Sequence, residues 1–315
     1  MNGAPTPTPA GRCLEGIFPA VLTPLDANMA PDGERLVRHC QALLAQECNG
    51  LAVLGTTGEA NSFSLEERLG LLDQLHAAKL PPRKLLLGTG CCALTDTVRL
   101  TRRAVDLGAA AVLMLPPFYY KAVSDDGLFA SYAEVIERVG DGRLRICLYH
   151  FPQMSGVPLS AGLIERLCGR YGETITGLKD SSGDLAGMVA IARRFPGLSV
   201  FSGSDELLLP LLEAGGAGCI TACCNVIAPM ALAVIDAWRQ GNHAAAVAAQ
   251  AKLTEMRKLI ATYPMAPALK EIVAHALRDP QWRALRPPLL PLREPAAKAL
   301  SEALARVSFE FTAYS

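Results

Sequence analysis

One lysine stands out among the residues able to do chemistry. In Ile175-Thr-Gly-Leu-Lys-Asp-Ser-Ser182, a short apolar stretch from Ile175 to Leu178 carries Lys179 at its C-terminal end, and the hydroxyls of Ser181 and Ser182 follow. Lysine is almost never fully buried without a partner. Desolvation disfavours the ammonium form, and the amine so released is a nucleophile toward a carbonyl carbon. A solvated lysine at a strand end is the plainer reading of this stretch taken alone, so the surrounding elements must decide.

Those elements alternate. Apolar runs at 16–25, 50–55, 85–90, 110–115, 145–149, 175–178, 199–202 and 217–221 are each followed by helical spacing, at 33–46, 65–78, 95–107, 125–139, 163–171, 185–195, 207–214 and 229–240. Ser64-Leu-Glu-Glu67 has the capping-box pattern at the second helix. Charge enters these strand cores only at the ends, Arg145 opening one and Lys179 closing another. Continuous apolar runs of this kind belong to parallel strands covered on both faces. Eight such units predict an α/β chain of the (β/α)8 TIM-barrel class. An open doubly wound sheet would put a glycine-rich dinucleotide turn after the first strand, where the chain instead reads Thr23-Pro24-Leu25-Asp26. Beyond residue 225 only helices are expected, at 243–263, 266–277 and 295–307. The predicted organisation is a disordered tail at 1–12, a barrel catalytic domain at 13–227, and the last barrel helix with a C-terminal helical extension at 228–315.

A barrel gathers its chemistry at the C-terminal ends of its strands. Read in order, those ends supply Thr23, Thr56-Thr57, Tyr119-Tyr120, Tyr149, Lys179, Gly203 with Asp205-Glu206, and Ile220-Thr221. One lysine ringed by hydroxyls, with no His/His/carboxylate cluster of metal-ligand type, suits Schiff-base chemistry on a keto acid. The imine is the electron sink for making or breaking a neighbouring carbon–carbon bond, so no cofactor and no metal are expected beyond the covalent link through Lys179. Plainer roles stand beside these: Tyr149 as a core aromatic, Glu59 as a structural carboxylate, His150 as a structural histidine, Cys223-Cys224 as packing, and Asp205-Glu206 as the acidic first turn of a helix, favourable to its dipole.

Gly55-Thr-Thr-Gly-Glu59, the strand end at Tyr149 and Gly177-Leu-Lys-Asp180 together resemble the dihydrodipicolinate synthase/N-acetylneuraminate lyase family over about residues 16–292. The resemblance implies a pyruvate-dependent class I aldolase on a (β/α)8 barrel, usually tetrameric. It also implies roles. Lys179 would condense with pyruvate, and Tyr149 would move protons. Thr56 and Thr57 would bind the keto-acid carboxylate, with Thr57 relaying protons, and Gly203 and Ile220 would line the lysine pocket. Tyr119, or else Tyr120, would reach across a dimer interface.

Departures from the family pattern bear on the substrate. The synthases carry an arginine five residues after the tyrosine, which grips a second carboxylate. Here that place is Met154, which cannot make the bidentate contact. Ser155-Gly156-Val157, Ser181 and the Asp205-Glu206 pair resemble the lyases of the family, in which such groups meet substrate hydroxyls. The expected activity is therefore cleavage or formation of a bond between pyruvate and an aldehyde, on a 2-keto-3-deoxy sugar acid or related 2-oxo acid. Alternatives are 4-hydroxy-tetrahydrodipicolinate synthesis, an imine-forming dehydratase or hydratase-aldolase, and a non-catalytic 2-oxo acid sensor.

Composition excludes other classes. In 315 residues, 30 basic and 30 acidic side chains cancel, which argues against bulk electrostatic binding of nucleic acid or anionic membrane. No apolar run has bilayer-spanning length. Residues 1–9 lack a charged n-region followed by an apolar stretch, so no signal peptide is expected. Ten cysteines without a C-x-x-C spacing read as reduced thiols, several in apolar contexts, and the expected compartment is cytoplasmic. The expected partners are small molecules and further copies of the chain, as a homotetramer or dimer.

Overall fold

The computed structural model describes residues 14–309 and 311. The expected tail at 1–12, and Cys13, lie outside them. Eight strands, β1 (Gly16–Pro19), β2 (Leu51–Val53), β3 (Leu85–Gly88), β4 (Ala111–Met114), β5 (Ile146–His150), β6 (Ile175–Asp180), β7 (Ser199–Ser202) and β8 (Gly218–Thr221), form one sheet in the order β1-β8-β7-β6-β5-β4-β3-β2. The ladders from β3 to β8 are parallel. A parallel bridge, Ala20 to Ala52, joins the chain beyond β1 to β2. Sequence neighbours pair all the way round, so the strand order is that of the (β/α)8 class with a C-terminal helical extension.

Helices separate the strands: α1 (Gly33–Ala45), α2 (Leu65–Ala77), α3 (Leu94–Asp106), α4 (Asp125–Val139), the single turn α5 (Pro152–Ser155), α6 (Ala161–Tyr171), α7 (Leu185–Arg194) and α8 (Leu208–Glu213). After β8 come α9 (Cys224–Arg239), α10 (His243–Ala261), α11 (Met265–Leu277) and α12 (Glu294–Arg306). Their starts are chemically marked. Asp32, Ser64, Ser124, Ser160, Asp184 and Asn242 each accept a hydrogen bond from a first-turn N–H, satisfying a donor that the helix itself leaves open. At α2 the capping box is complete in both directions.

Four elements differ from the pattern reading. β1 ends at Pro19, six residues short of the expected run at 16–25, and beyond it the chain makes isolated bridges at Ala20 and Leu25. β6 continues two residues further, through Lys179 and Asp180, because Lys179 pairs with Tyr149 on one side and Phe201 on the other. α9 begins at Cys224 instead of at Pro229, and its backbone breaks at Ile227 (φ −122°). Proline lacks an N–H and its ring crowds the carbonyl one turn back, so the helix kinks there without ending. The turn α5 was hidden in the sequence because it is one turn long and starts with a proline.

The chain forms two compact units, one comprising Pro81–Ile220 with the lead-in to Gly16, the other Ile17–Leu80 with the chain from Thr221 onward. In the first, glycines let strands approach. A side-chain carbon on Gly177 would lie 3.1 Å from both Cys147 Sγ and Ser199 O, and one on Gly218 (φ +140°) would lie 2.0 Å from Gly16 O. Among the described residues no helix is long and apolar enough to cross a membrane.

In the second unit α9 and α11 pack on each other and on α10, and α12 packs on α11. A buried polar node ties α9 to the other helices. Asn225 Nδ2 donates to Ala20 O and Ala222 O, which fixes the amide so that Oδ1 accepts from Leu22 N at 3.0 Å and from His39 Nε2 at 2.9 Å. His39 is fully buried and meets Trp282 edge-on. Burial lowers its pKa from 6.5 to about 4, the bond to Asn225 opposing the shift. Between these two values the unfolded chain takes up a proton that the native imidazole refuses, so stability contributed above pH 6.5 is lost as pH falls. The loss reaches roughly 3 kcal/mol by pH 4. His39→Gln keeps a donor toward Asn225 and does not titrate. Urea unfolding at pH 7 and pH 4 is expected to show a smaller acid loss in this variant than in the unaltered protein, by about 2–3 kcal/mol.

Candidate active site

Lys179 is inside the protein, with 4% of its surface exposed. The β5–β6 register sets it directly beside Tyr149, and its Nζ lies 4.2 Å from the centre of the Tyr149 ring. Tyr149 is itself buried and stacks on Phe151 at 5.8 Å. The side chain of Lys179 has no ion-pair or hydrogen-bond partner among the described residues; what it meets is the ring face. The thiol of Cys147, two residues before Tyr149 on β5, is fully buried, and burial pushes its pKa up to about 12 despite the nearby lysine charge. It is inert packing beside the lysine.

The loops leaving β5, β6 and β7 are laced together around this pair. His150 O accepts from Ser181 N at 2.8 Å, and Asp180 O accepts from Gly203 N at 2.7 Å. Asp180 is buried, and its carboxylate accepts from Ser182 N at 2.7 Å. Gln153 on α5 donates to Ser182 O at 2.6 Å. His150 Nδ1 accepts from Leu159 N at 3.0 Å, which is the structural role expected of it. Gly203 packs so tightly that a side-chain carbon there would fall 2.0 Å from Ser181 Oγ and 2.8 Å from Ser181 Cα. Only glycine lets the two strand exits touch.

The remaining expected residues differ in setting. Ile220 is buried on β8 and Asp205 is buried, whereas Glu206 and Ser181 are half-buried. Asp205 and Glu206 form a 3-10 turn, Asp205–Leu207, that leads into α8, the acidic first turn considered for them. Tyr119 and Tyr120 are each 74% exposed and pack edge-to-face on each other. The next residue, Lys121, anchors their loop, Nζ donating to Phe118 O and, at 2.6 Å, to Ser155 O. Met154 is exposed, the arginine-like grip being absent at that place.

Thr56 and Thr57 belong to the other compact unit, in the loop that leaves β2. Two non-glycine residues with positive φ bracket it, Leu54 (+59°) and Glu59 (+55°), a backbone that costs on the order of 1–3 kcal/mol per residue and persists only where its surroundings over-determine it. Gly58 O accepts from Thr23 Oγ1 at 2.8 Å. Glu59 is buried, as the structural reading of it anticipated. Its Oε1 takes a 2.5 Å ion pair from Lys270 Nζ, and its Oε2 accepts from Arg286 N at 2.9 Å. Lys270 on α11 is the residue that sequence reasoning missed. Its signal was present: it is the first of two charged residues within the apolar run Met265-Ala-Pro-Ala-Leu-Lys-Glu-Ile-Val-Ala274, where a lone basic residue has to find a partner.

A (β/α)8 chain with its polar groups at the C-terminal ends of the strands is the arrangement of the barrel enzymes. The family model described as "Dihydrodipicolinate synthetase family" matches residues 13–307. An uncharacterized DapA-like lyase of Chloroflexus aurantiacus is 39% identical over 93% of this chain and 96% of its own length. A 4-hydroxy-tetrahydrodipicolinate synthase of Parasynechococcus marenigrum is 32% identical over 95% of this chain and 96% of its own. Among solved structures, YagE, a prophage protein of the dihydrodipicolinic acid synthase family from E. coli K12 in complex with pyruvate, superimposes with a TM-score of 0.86 at 26% identity, over 94% of this chain and 99% of that one. The chain belongs to the dihydrodipicolinate synthetase family, and it is a lyase of the aldolase kind.

The close approach at Gly203 is directly testable. Gly203→Ala forces the Ser181 backbone aside and is expected to cost about 1–3 kcal/mol in urea unfolding. Adding Ser181→Ala removes the hydroxyl clash but leaves the crowding against the main chain of residue 181, so it should restore only part of the loss.

Proposed function

We propose that the chain is a Schiff-base-forming class I aldolase that joins pyruvate to an aldehyde or cleaves the product, with a 2-keto-3-deoxy sugar acid or related 2-oxo acid as substrate. One observation carries the reading: a buried lysine with no carboxylate partner lies against the ring of Tyr149 at a strand end. Lys179 supplies the amine that adds to the keto carbon, and loss of water gives the imine. Loss of a methyl proton then gives an enamine whose carbon attacks the aldehyde. Cleavage runs the same steps backwards, and water finally releases the keto acid from the lysine. Tyr149 moves the protons of imine formation and carbon–carbon chemistry, with Thr57 in the relay.

Thr56 and Thr57 bind the keto-acid carboxylate, and Gly203 and Ile220 line the pocket. Neither a metal nor a separate cofactor is required, because the imine itself accepts the electron pair. The choice of a hydroxylated substrate rests on Met154 in place of a carboxylate-gripping arginine, and on the half-buried Ser181 and Glu206 and the buried Asp205, which follow β6 and β7. The exposure of Tyr119 suits a phenol that completes the site of a second copy, in a dimer or tetramer.

Incubation with pyruvate and sodium borohydride, read by intact mass and peptide mapping, is expected to give one reduced pyruvate adduct on Lys179. Lys179→Ala should give none and lose all turnover, and Tyr149→Phe should lower kcat by about 10²–10⁴. No adduct on the folded, pyruvate-saturated protein would sink the proposal. In a substrate panel, sugar-acid cleavage should exceed condensation of pyruvate with aspartate semialdehyde. Comparable or faster condensation would favour the synthase reading.

A further inference from the structure

We propose that Lys270 is a positioning residue for the keto-acid carboxylate: through Glu59 it holds the loop from Gly55 to Glu59 in the shape that presents Thr56 and Thr57. The inference rests on the carboxylate-binding reading of those threonines given above. Two groups from the α11 region converge on this one turn, and a third holds one of them in place. Lys270 Nζ meets Glu59 Oε1 at 2.5 Å, Arg286 N donates to Glu59 Oε2 at 2.9 Å, and Lys270 is braced from behind by Ala284 O at 2.7 Å. Arg286 adds a second hold on the following turn, Nη1 donating to Ser62 O at 2.7 Å and the guanidinium pairing with Glu67 at the start of α2.

The grip passes directly to the threonines. Glu59 N donates to Thr56 O at 3.1 Å, and Ala60 N to Gly55 O at 3.2 Å, so Glu59 cannot move without moving the peptide of Thr56. On the far side Gly58 is wedged against the chain beyond β1, where a side-chain carbon would come within 2.8 Å of Val21 O. Left to itself, a loop with positive φ at both Leu54 and Glu59 would relax.

A stability role alone does not account for the choice of residues. Replacing a buried ion pair by apolar groups of similar volume is often neutral or stabilising, so a charged pair with both partners wholly buried is better explained by the geometry it enforces. Burial lowers the pKa of Lys270, and the charge and hydrogen bond of Glu59 oppose that shift.

The test compares the unaltered protein with Lys270→Met, Glu59→Gln and the double variant, which removes both charges together. The readout is the pyruvate concentration that gives half-maximal borohydride-trapped adduct on Lys179. We expect it to rise by about tenfold or more, with the plateau of adduct unchanged because the lysine chemistry is intact. A folded variant with a lower melting temperature but an unchanged half-saturation overturns the proposal and leaves the Schiff-base reading standing. Absence of adduct in the unaltered protein overturns both. Hydrogen exchange on the unaltered protein serves where a variant does not fold: saturating pyruvate should protect the amides of 55–60 together with those of 265–286. Protection confined to 55–60 would count against the coupling.

Discussion

The structure depends on how it treats two lysines taken out of water. Burying an ammonium without compensation is costly, and each lysine meets that cost differently. Lys270 is paired with a carboxylate at 2.5 Å and donates to a carbonyl at 2.7 Å. Among the described residues Lys179 Nζ meets the face of Tyr149 at 4.2 Å and no carboxylate. Lys270 is held in an ion pair, and Lys179 faces an aromatic ring. That asymmetry separates scaffold from site more cleanly than burial does, since both side chains are buried.

Around Lys179 the sheet imposes the geometry. Parallel pairing sets Tyr149, Lys179 and Phe201 side by side on three successive strands, and side chains at matched register project to the same face. The glycines at 177 and 203 then admit neighbours that a side-chain carbon would exclude. The strand exits are joined by main-chain and side-chain hydrogen bonds, so the hydroxyl of Ser181 and the turn at Asp205 are held by backbone and not by long flexible side chains. Such a cluster is pre-organised by its scaffold, as the imine chemistry proposed for it would require.

Much of this was legible in the residues. Apolar runs of four to ten residues with helical spacing between them marked eight strands, the first run overshooting its strand, because a strand covered on both faces has no polar alternation to blur it. The capping box at Ser64 was readable because it is local to four residues. The kinked start of α9 was not, because Pro229 marks a helix break in sequence and the tertiary anchor at Asn225 is what carries the helix through it. The buried state of Asp205 was equally hidden, since an acidic pair at the start of a helical segment usually faces solvent.

By itself the sequence determined the family: a lysine at a strand end, a tyrosine on the preceding strand, and a Gly-Thr-Thr-Gly-Glu turn are local strings whose order and spacing survive without coordinates. Only tertiary structure decided which charged groups are spoken for. Whether Lys179 or Lys270 is the lysine left without a carboxylate depends on residues up to 211 positions apart, as Glu59 and Lys270 are. Ion pairs of that separation are set by how elements pack, and no periodicity in the chain records them. The register between β5 and β6 belongs to the same category. Local propensity makes each strand, but only pairing across the sheet brings Tyr149 level with Lys179.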